Sequence, residues 1–313
     1  MDLKQYQEAQ KEALKGKFKG RKQITSIAAP LYPGSAEREY QRIANAYMML
    51  LNQSVKEHLP EITRLYKQSL QKDCRYDDRM DILAKIKEEF KKITESLEKK
   101  ISKYRLDTYI EKTALMAQKT SIREWKKSVK KTFGVDIFED YYKGDMYSQL
   151  ISKWISDNVS FVKSIPNDTL GEMERIVMSG FSSGMSIRDL TKEIQKEYGT
   201  SKSKAQSLAR DQISTLNAQI AKQQQTDAGC SKYKWSSSKD SRVRDCHKAF
   251  DGRIFSWDNP PEGWYKTKQG IKSTGRKCHP GEDYCCRCVA IPVFDRENIS
   301  VPVSYDDKRG KSQ

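Results

Sequence analysis

Across 313 residues, 58 Lys plus Arg stand against 42 Asp plus Glu, a formal net charge of +16, and only 36% of residues are hydrophobic. No apolar run approaches the ~20 residues that cross a bilayer, and the N-terminus, MDLKQYQEAQKEALKGK, lacks the apolar core of a secretory signal; the expectation is a chain with no membrane partner, made and kept in a cytosol. The lean apolar content suits long helices better than one thick core, and the basic surplus favours polyanions, nucleic acid above all, although a solvated surface carries such charge equally well.

Residues 1–34 read as a basic arm. The run KGKFKGRK supplies Lys15, Lys17, Lys19, Arg21 and Lys22, the candidate nucleic-acid-binding residues, and Pro30, Pro33 and Gly34 then break any helix. Such a tail binds phosphates, docks on an acidic protein surface or stays disordered.

Residues 35–228 read as a helical body. Ser35 is a plausible N-cap, and Tyr40, Ile43, Ala44, Tyr47, Leu51 and Val55 recur at helical spacing until Pro60, which is expected to kink or split the element. Leu83, Ile86, Phe90, Ile93, Leu97, Ile101 and Tyr104 then step by threes and fours, the pattern of a helix packed along one neighbour, here within one chain rather than between chains. Trp125, Val129 and Phe133 close a third helix that Gly134 can terminate. Leu150, Ile151, Trp154, Ile155 and Val159 mark a fourth, expected to end at Pro166. Ser186 caps the next, with Leu190 and Ile194 inside, and a separate helix is expected from Ser203 to about Thr226, burying Leu208, Ile213, Leu216 and Ile220. Its polar face, Gln219, Lys222, Gln223, Gln224 and Gln225, reads as solvated.

After Gly229 the period changes. KYKW, GRIFSW and VAIPV alternate with aromatic and β-branched residues and read as strands, Asp251-Gly252 as a hairpin turn, and 258–263 as a loop. Pro292 places the last strand at a sheet edge. The predicted fold class is α+β: an elongated, mainly helical body, then a small loop-rich β module at 229–297 and a tail at 298–313. So small a module struggles to bury a sufficient core alone, and a bound metal is a common staple.

The chain has seven cysteines, and Cys230, Cys246, Cys278, Cys285, Cys286 and Cys288 fall in or beside the stretch 240–295, with His247 and His279. In a reducing compartment clustered thiols are metal ligands or free thiols more often than disulfides. Zinc takes four sulfur and imidazole ligands in a tetrahedron. The chosen set is His247, His279, Cys286 and Cys288: positions 286 and 288 share one strand face, and the preceding loop can bring His279 back over it. Cys246, Cys278 and Cys285 are alternates, and a set of small buried thiols without metal is the competing reading. The ion expected is structural Zn²⁺. No HExxH helix, P-loop, Rossmann glycine pattern or Gly-x-Ser-x-Gly elbow occurs, so the chain reads as no enzyme.

The run SLARDQISTLNAQIAKQQQTDAGCSKYKW, then DSRVRDCHKAFDGRIF, then HPG followed by CCRC resembles the phage head-morphogenesis family of minor head proteins, related to the F protein of phage Mu. The matching elements are Ala209-Arg210-Asp211, Trp235, Ser241-Arg242-Val243, His247 with Asp251-Gly252, and His279-Pro280 with Cys286-Arg287-Cys288. Two departures stand out: Arg244 takes the first position of a Cys-x-x-Cys common in relatives, and GEDYC lengthens the gap before Cys-Arg-Cys. The resemblance implies a virion protein inside the head or procapsid, present in the host cytoplasm during assembly. Its implied partners are the portal protein, capsid and scaffold proteins and double-stranded DNA, with a role in head assembly and DNA ejection. A non-specific DNA-binding protein and a zinc-dependent nuclease or hydrolase are the alternatives.

Overall fold

The computed structural model describes residues 3–71 and 75–303, with side chains from residue 8 onward; Cys74 and residues 304–313 of the expected tail lie outside them. The fold is α+β, as expected. Among the described residues the chain runs α1 (Leu3–Gly16), β1 (Gln23–Thr25), α2 (Gly34–Ser69), α3 (Tyr76–Lys103), α4 (Leu106–Phe133), a short 3₁₀ turn (Glu139–Lys143), α5 (Asp145–Ser183) and α6 (Ile187–Asp227). Then follow β2 (Lys232–Ser236), α7 (Asp245–Phe250), β3 (Ile254–Ser256), β4 (Glu262–Thr267), β5 (Gly270–Lys277) and β6 (Val289–Asp295).

The compact units cut across the expected domain boundaries. One comprises Met1–Glu37, Thr113–Trp154 and Arg210–Gln313; the other comprises Arg38–Lys112 and Ile155–Ala209. The second unit is helical. In it α3 lies along α2: Lys100 reaches Glu57 at 2.8 Å, the Tyr104 ring meets Tyr47 edge-on, and Ile86, Phe90, Ile93 and Leu97 are buried. The apolar stripe of α3 is thus satisfied within one chain.

Neither internal proline breaks its helix. Pro60 is exposed, so the carbonyl it frees at the exposed Lys56 is solvated and α2 continues. Pro166 is buried, and α5 continues because the stripe Val162, Leu170, Met173 and Val177 is buried on both sides of it. The two helices expected after Ser186 are one, α6, capped by Ser186, whose hydroxyl accepts the Asp189 N–H at 3.2 Å.

The first unit holds the β structure. Its four-stranded antiparallel sheet has the order β1-β6-β2-β3, and β4 with β5 forms a separate hairpin. The segment from Phe18 to Thr25 is therefore packed, not a free arm. Ile24 of β1 pairs with Phe294 of β6, and Phe18 is fully buried against Phe133, which in turn meets Phe294 at 4.8 Å. β1 makes β6 an inner strand, against the expectation for a proline-bearing segment. Pro292 still accepts from Ser26 N–H at 2.9 Å, and β1 ends at Thr25, where the absent proline donor would have been needed. Asp251-Gly252 joins α7 to β3 rather than two paired strands. Residues 298–303 of the expected tail are packed, with Ile299 and Val301 buried.

Gly229 ends α6 at φ +78, and a Cβ there would lie 1.8 Å from the Asn298 carbonyl oxygen, so only glycine fits. Replacing Phe18 tests whether the N-terminal segment belongs to this core. Phe18→Ala should cost about 3–5 kcal/mol in urea unfolding; an unchanged midpoint would mean that the segment contributes nothing to the unit.

Candidate metal centre

Helix α6 presents one face to the loop that precedes β6. The positions involved, Asp211, Ser214, Ala218 and Gln225, recur by threes, fours and sevens, a single helical stripe. Asp211 accepts the Cys285 N–H at 2.9 Å, the Ser214 hydroxyl donates to the Cys286 carbonyl, and Gln225 donates to the Ala290 carbonyl at 3.0 Å. Between them Gly281, at φ +91, approaches so closely that an added Cβ would meet Ala218 at 3.1 Å. Gln224 is buried too, accepting from Ser121 at 3.1 Å. The glutamine face expected to be solvated is in part the seat of the module.

Held in this way, the chain turns sharply at Cys285, a non-glycine residue at φ 51. After it, Cys286 and Cys288 both turn toward His247, while Arg287 between them reaches Glu37. Arg287 donates to Glu37 through Nε (3.2 Å) and Nη2 (3.1 Å), and Arg210 donates to the same carboxylate at 3.2 Å. Burial raises the Glu37 pKa, but the hydrogen bonds and charge of Arg287, with Tyr32 and Arg210, outweigh it and hold the carboxyl below the usual range.

On the inner side lies an aromatic core of Tyr233, Trp235, Phe250 and Trp257, in which Cys246, Cys286 and Cys288 are buried. His247 comes from α7. Its Nδ1 lies 3.6 Å from Cys286 Sγ and 3.7 Å from Cys288 Sγ. Among the described residues, His247, Cys286 and Cys288 form the one group of three or more potential ligands whose atoms lie within 4.8 Å of one another, and all three are buried.

His279 is not brought into this group. It is buried against Trp257 with its Nδ1 3.1 Å from the Tyr233 hydroxyl, and burial lowers its pKa. Its backbone N–H donates to Glu282 at 2.8 Å. It is a core histidine that shapes the His-Pro-Gly turn. The alternates Cys246, Cys278 and Cys285 also lie outside the group.

The three donors fit zinc on two counts. A nitrogen at ~2.1 Å and a sulfur at ~2.3 Å from one tetrahedral ion lie roughly 3.6 Å apart, the spacing found here. Asp283 lies 3.6 Å from His247 Nε2. A carboxylate there favours the tautomer that leaves the Nδ1 lone pair free for a metal. Two thiolates and a neutral imidazole carry a charge of −2, which a divalent ion neutralises inside the core.

The two thiols are shifted in opposite directions. A hydrogen bond from Cys288, with His247 and the Cys288 N–H adding to it, lowers the Cys286 pKa against the effect of burial; the same bond and burial push Cys288 up. Burial raises Cys230, Cys278 and Cys285. The three donors border a cavity of about 220 Å³, lined also by Arg210, Asp240, Arg242, Arg244 and Arg287.

None of the candidate DNA-binding cations lines the cavity beside the donors. Lys15 pairs with Glu12 at 2.7 Å, whereas Lys17, Lys19, Arg21 and Lys22 are exposed on the turn from α1 to β1. Sequence reasoning named Arg210 and Asp211 within a motif but gave them no role, and it missed Glu37 and Ser214. The stripe on α6 was the available signal for Asp211 and Ser214; nothing local marks Glu37, whose partner Arg287 lies 250 residues away.

Residues 172–291 match the family described as Phage Mu protein F like protein. The match takes in the α6 stripe, His247, Cys286 and Cys288, and bears out the resemblance seen in the motifs. An uncharacterized protein of Haemophilus influenzae is 32% identical over 168 residues, covering 54% of this chain and 35% of its own length. The chain thus spans about a third of that relative. No solved structure matches.

Titration of the full-length protein with Co²⁺ should show one equivalent bound with thiolate-to-metal absorption. Cys286→Ser or Cys288→Ser should weaken binding beyond the ~10–100-fold typical of second-shell losses. His279→Gln should leave the stoichiometry at one; loss of the site in a folded His279 variant would restore that residue to the ligand set.

Proposed function

We propose that this chain is a phage minor head protein acting in head morphogenesis, associated with the portal and with packaged DNA, and that zinc staples its C-terminal β structure. The observation that carries the reading is the family match over residues 172–291, which coincides with the segment that builds the donor cluster and its seat on α6. A family of structural head proteins supports a place in the virion. Helical surface is available for docking on portal or capsid, and the +16 charge suits a neighbour of packaged duplex, whose phosphates it would neutralise. No helix among the described residues is long and apolar enough to cross a membrane.

In this reading His247, Cys286 and Cys288 would hold the ion and Asp283 would orient the histidine. Bound zinc would supply folding energy, which in small zinc modules is roughly 10–16 kcal/mol. Three donors beside a cavity also fit a metal-dependent hydrolase, which keeps an open coordination position. The local carboxylates argue against it: Asp240 faces Arg287 at 3.6 Å and Asp283 faces Arg244 at 3.3 Å, so both are engaged rather than poised as a base.

Mass spectrometry of purified procapsids and full heads tests the reading. The chain should be present in both, at far fewer copies than the major capsid protein. Its absence from particles at every stage of assembly would overturn the assignment.

A further inference from the structure

The β4–β5 hairpin is the element for which neither the donor cluster nor the family match has a use. Trp264 anchors its base by packing against the aromatic core, and every residue of β5 is exposed. Its cations differ in how they are engaged. At the base, Arg276 faces Asp283 at 3.7 Å and Lys277 donates to Asn259 at 3.1 Å. Lys266, Lys268 and Lys272 make no ion pair among the described residues, and the hairpin's one acid, Glu262, accepts from Ser273.

The register distributes this charge around the ribbon. Opposed residues share a face, so Tyr265 and Lys272 lie on one side and Lys266 and Ile271 on the other, with Lys268 in the turn. Tyr265 and Ile271 are 51% and 66% exposed. A flat acidic protein surface would engage one face only. A groove of duplex DNA presents phosphates on both sides, and the major groove, ~12 Å wide, admits a two-stranded ribbon.

We propose that the hairpin Glu262–Lys277 is a sequence-independent duplex-DNA contact: its ribbon enters a groove, its three unpaired lysines meet phosphates, and Tyr265 and Ile271 lie against sugar edges. This deepens the head-protein reading by naming the surface that faces packaged DNA. The basic turn at Lys17 to Lys22 is the competing surface.

The test uses the full-length protein and a random-sequence duplex, with affinity followed by fluorescence anisotropy against salt. The hairpin variant carries Lys266→Gln, Lys268→Gln and Lys272→Gln; the control carries Lys17→Gln, Lys19→Gln, Arg21→Gln and Lys22→Gln. Loss of three phosphate contacts should reduce the slope of log K against log salt by about 2.7 and weaken binding at least 10-fold at low salt, with circular dichroism unchanged. The control should keep the wild-type slope. The proposal is overturned if the hairpin variant binds DNA as the wild type does, if the wild type binds no DNA, or if the variant loses only its affinity for polyglutamate, which would assign the ribbon to an acidic protein. Particle content is measured separately, so a protein found in heads whose hairpin is indifferent to DNA would defeat this inference and leave the head assignment standing.

Discussion

One carboxylate holds two guanidinium groups from distant parts of the sequence. Glu37, at the start of α2, binds Arg210 of α6 and Arg287, which sits between Cys286 and Cys288. Arg287 stands between the two thiols in the sequence, so anchoring it to Glu37 restrains the loop that carries both. The donor cluster is thus set from behind by an ion pair that touches none of its members. Glu37 is buried but both arginines remain partly exposed, so the pair adds little net stability. It selects one arrangement of the loop rather than supplying the energy to hold it.

The energy comes from elsewhere. Aromatic rings surround the sulfurs on the inner side, and α6 receives the loop through Asp211, Ser214 and Gln225. β1, from the N-terminal segment, completes the sheet on the side of β6 away from β2. Chain segments from both ends therefore meet in one unit, and its stability is not a property of residues 229–297 alone. A divalent ion would add a third restraint, cross-linking α7 to the segment entering β6.

How much of this was legible depended on the range of each interaction. The long helices were readable because their stripes are local, and the packing of α3 along one neighbour followed from its spacing. Pro60 and Pro166 misled because a helix whose flanking stripe is packed, or whose freed carbonyl is solvated, tolerates the lost bond. Cys286 and Cys288 announced their shared face through a spacing of two. His279 lies outside the donor group because proximity in sequence to the cysteines says nothing about the Tyr233 hydroxyl beside its ring. The basic run at Lys15 to Lys22 looked like a free arm since its anchors, Phe133 and Phe294, lie far along the chain. The β4–β5 hairpin, polar and glycine-bearing, has no apolar alternation to mark it as strand.

The most direct measurement is the zinc affinity of the full-length protein with Glu37 intact and with Glu37→Gln, both verified as folded by circular dichroism. If the carboxylate sets the thiols through Arg287, the variant should bind zinc about 10–100-fold more weakly, the range for loss of an outer-shell partner. Equal affinity in a folded variant would show that the cluster assembles without the clasp and would contradict the account.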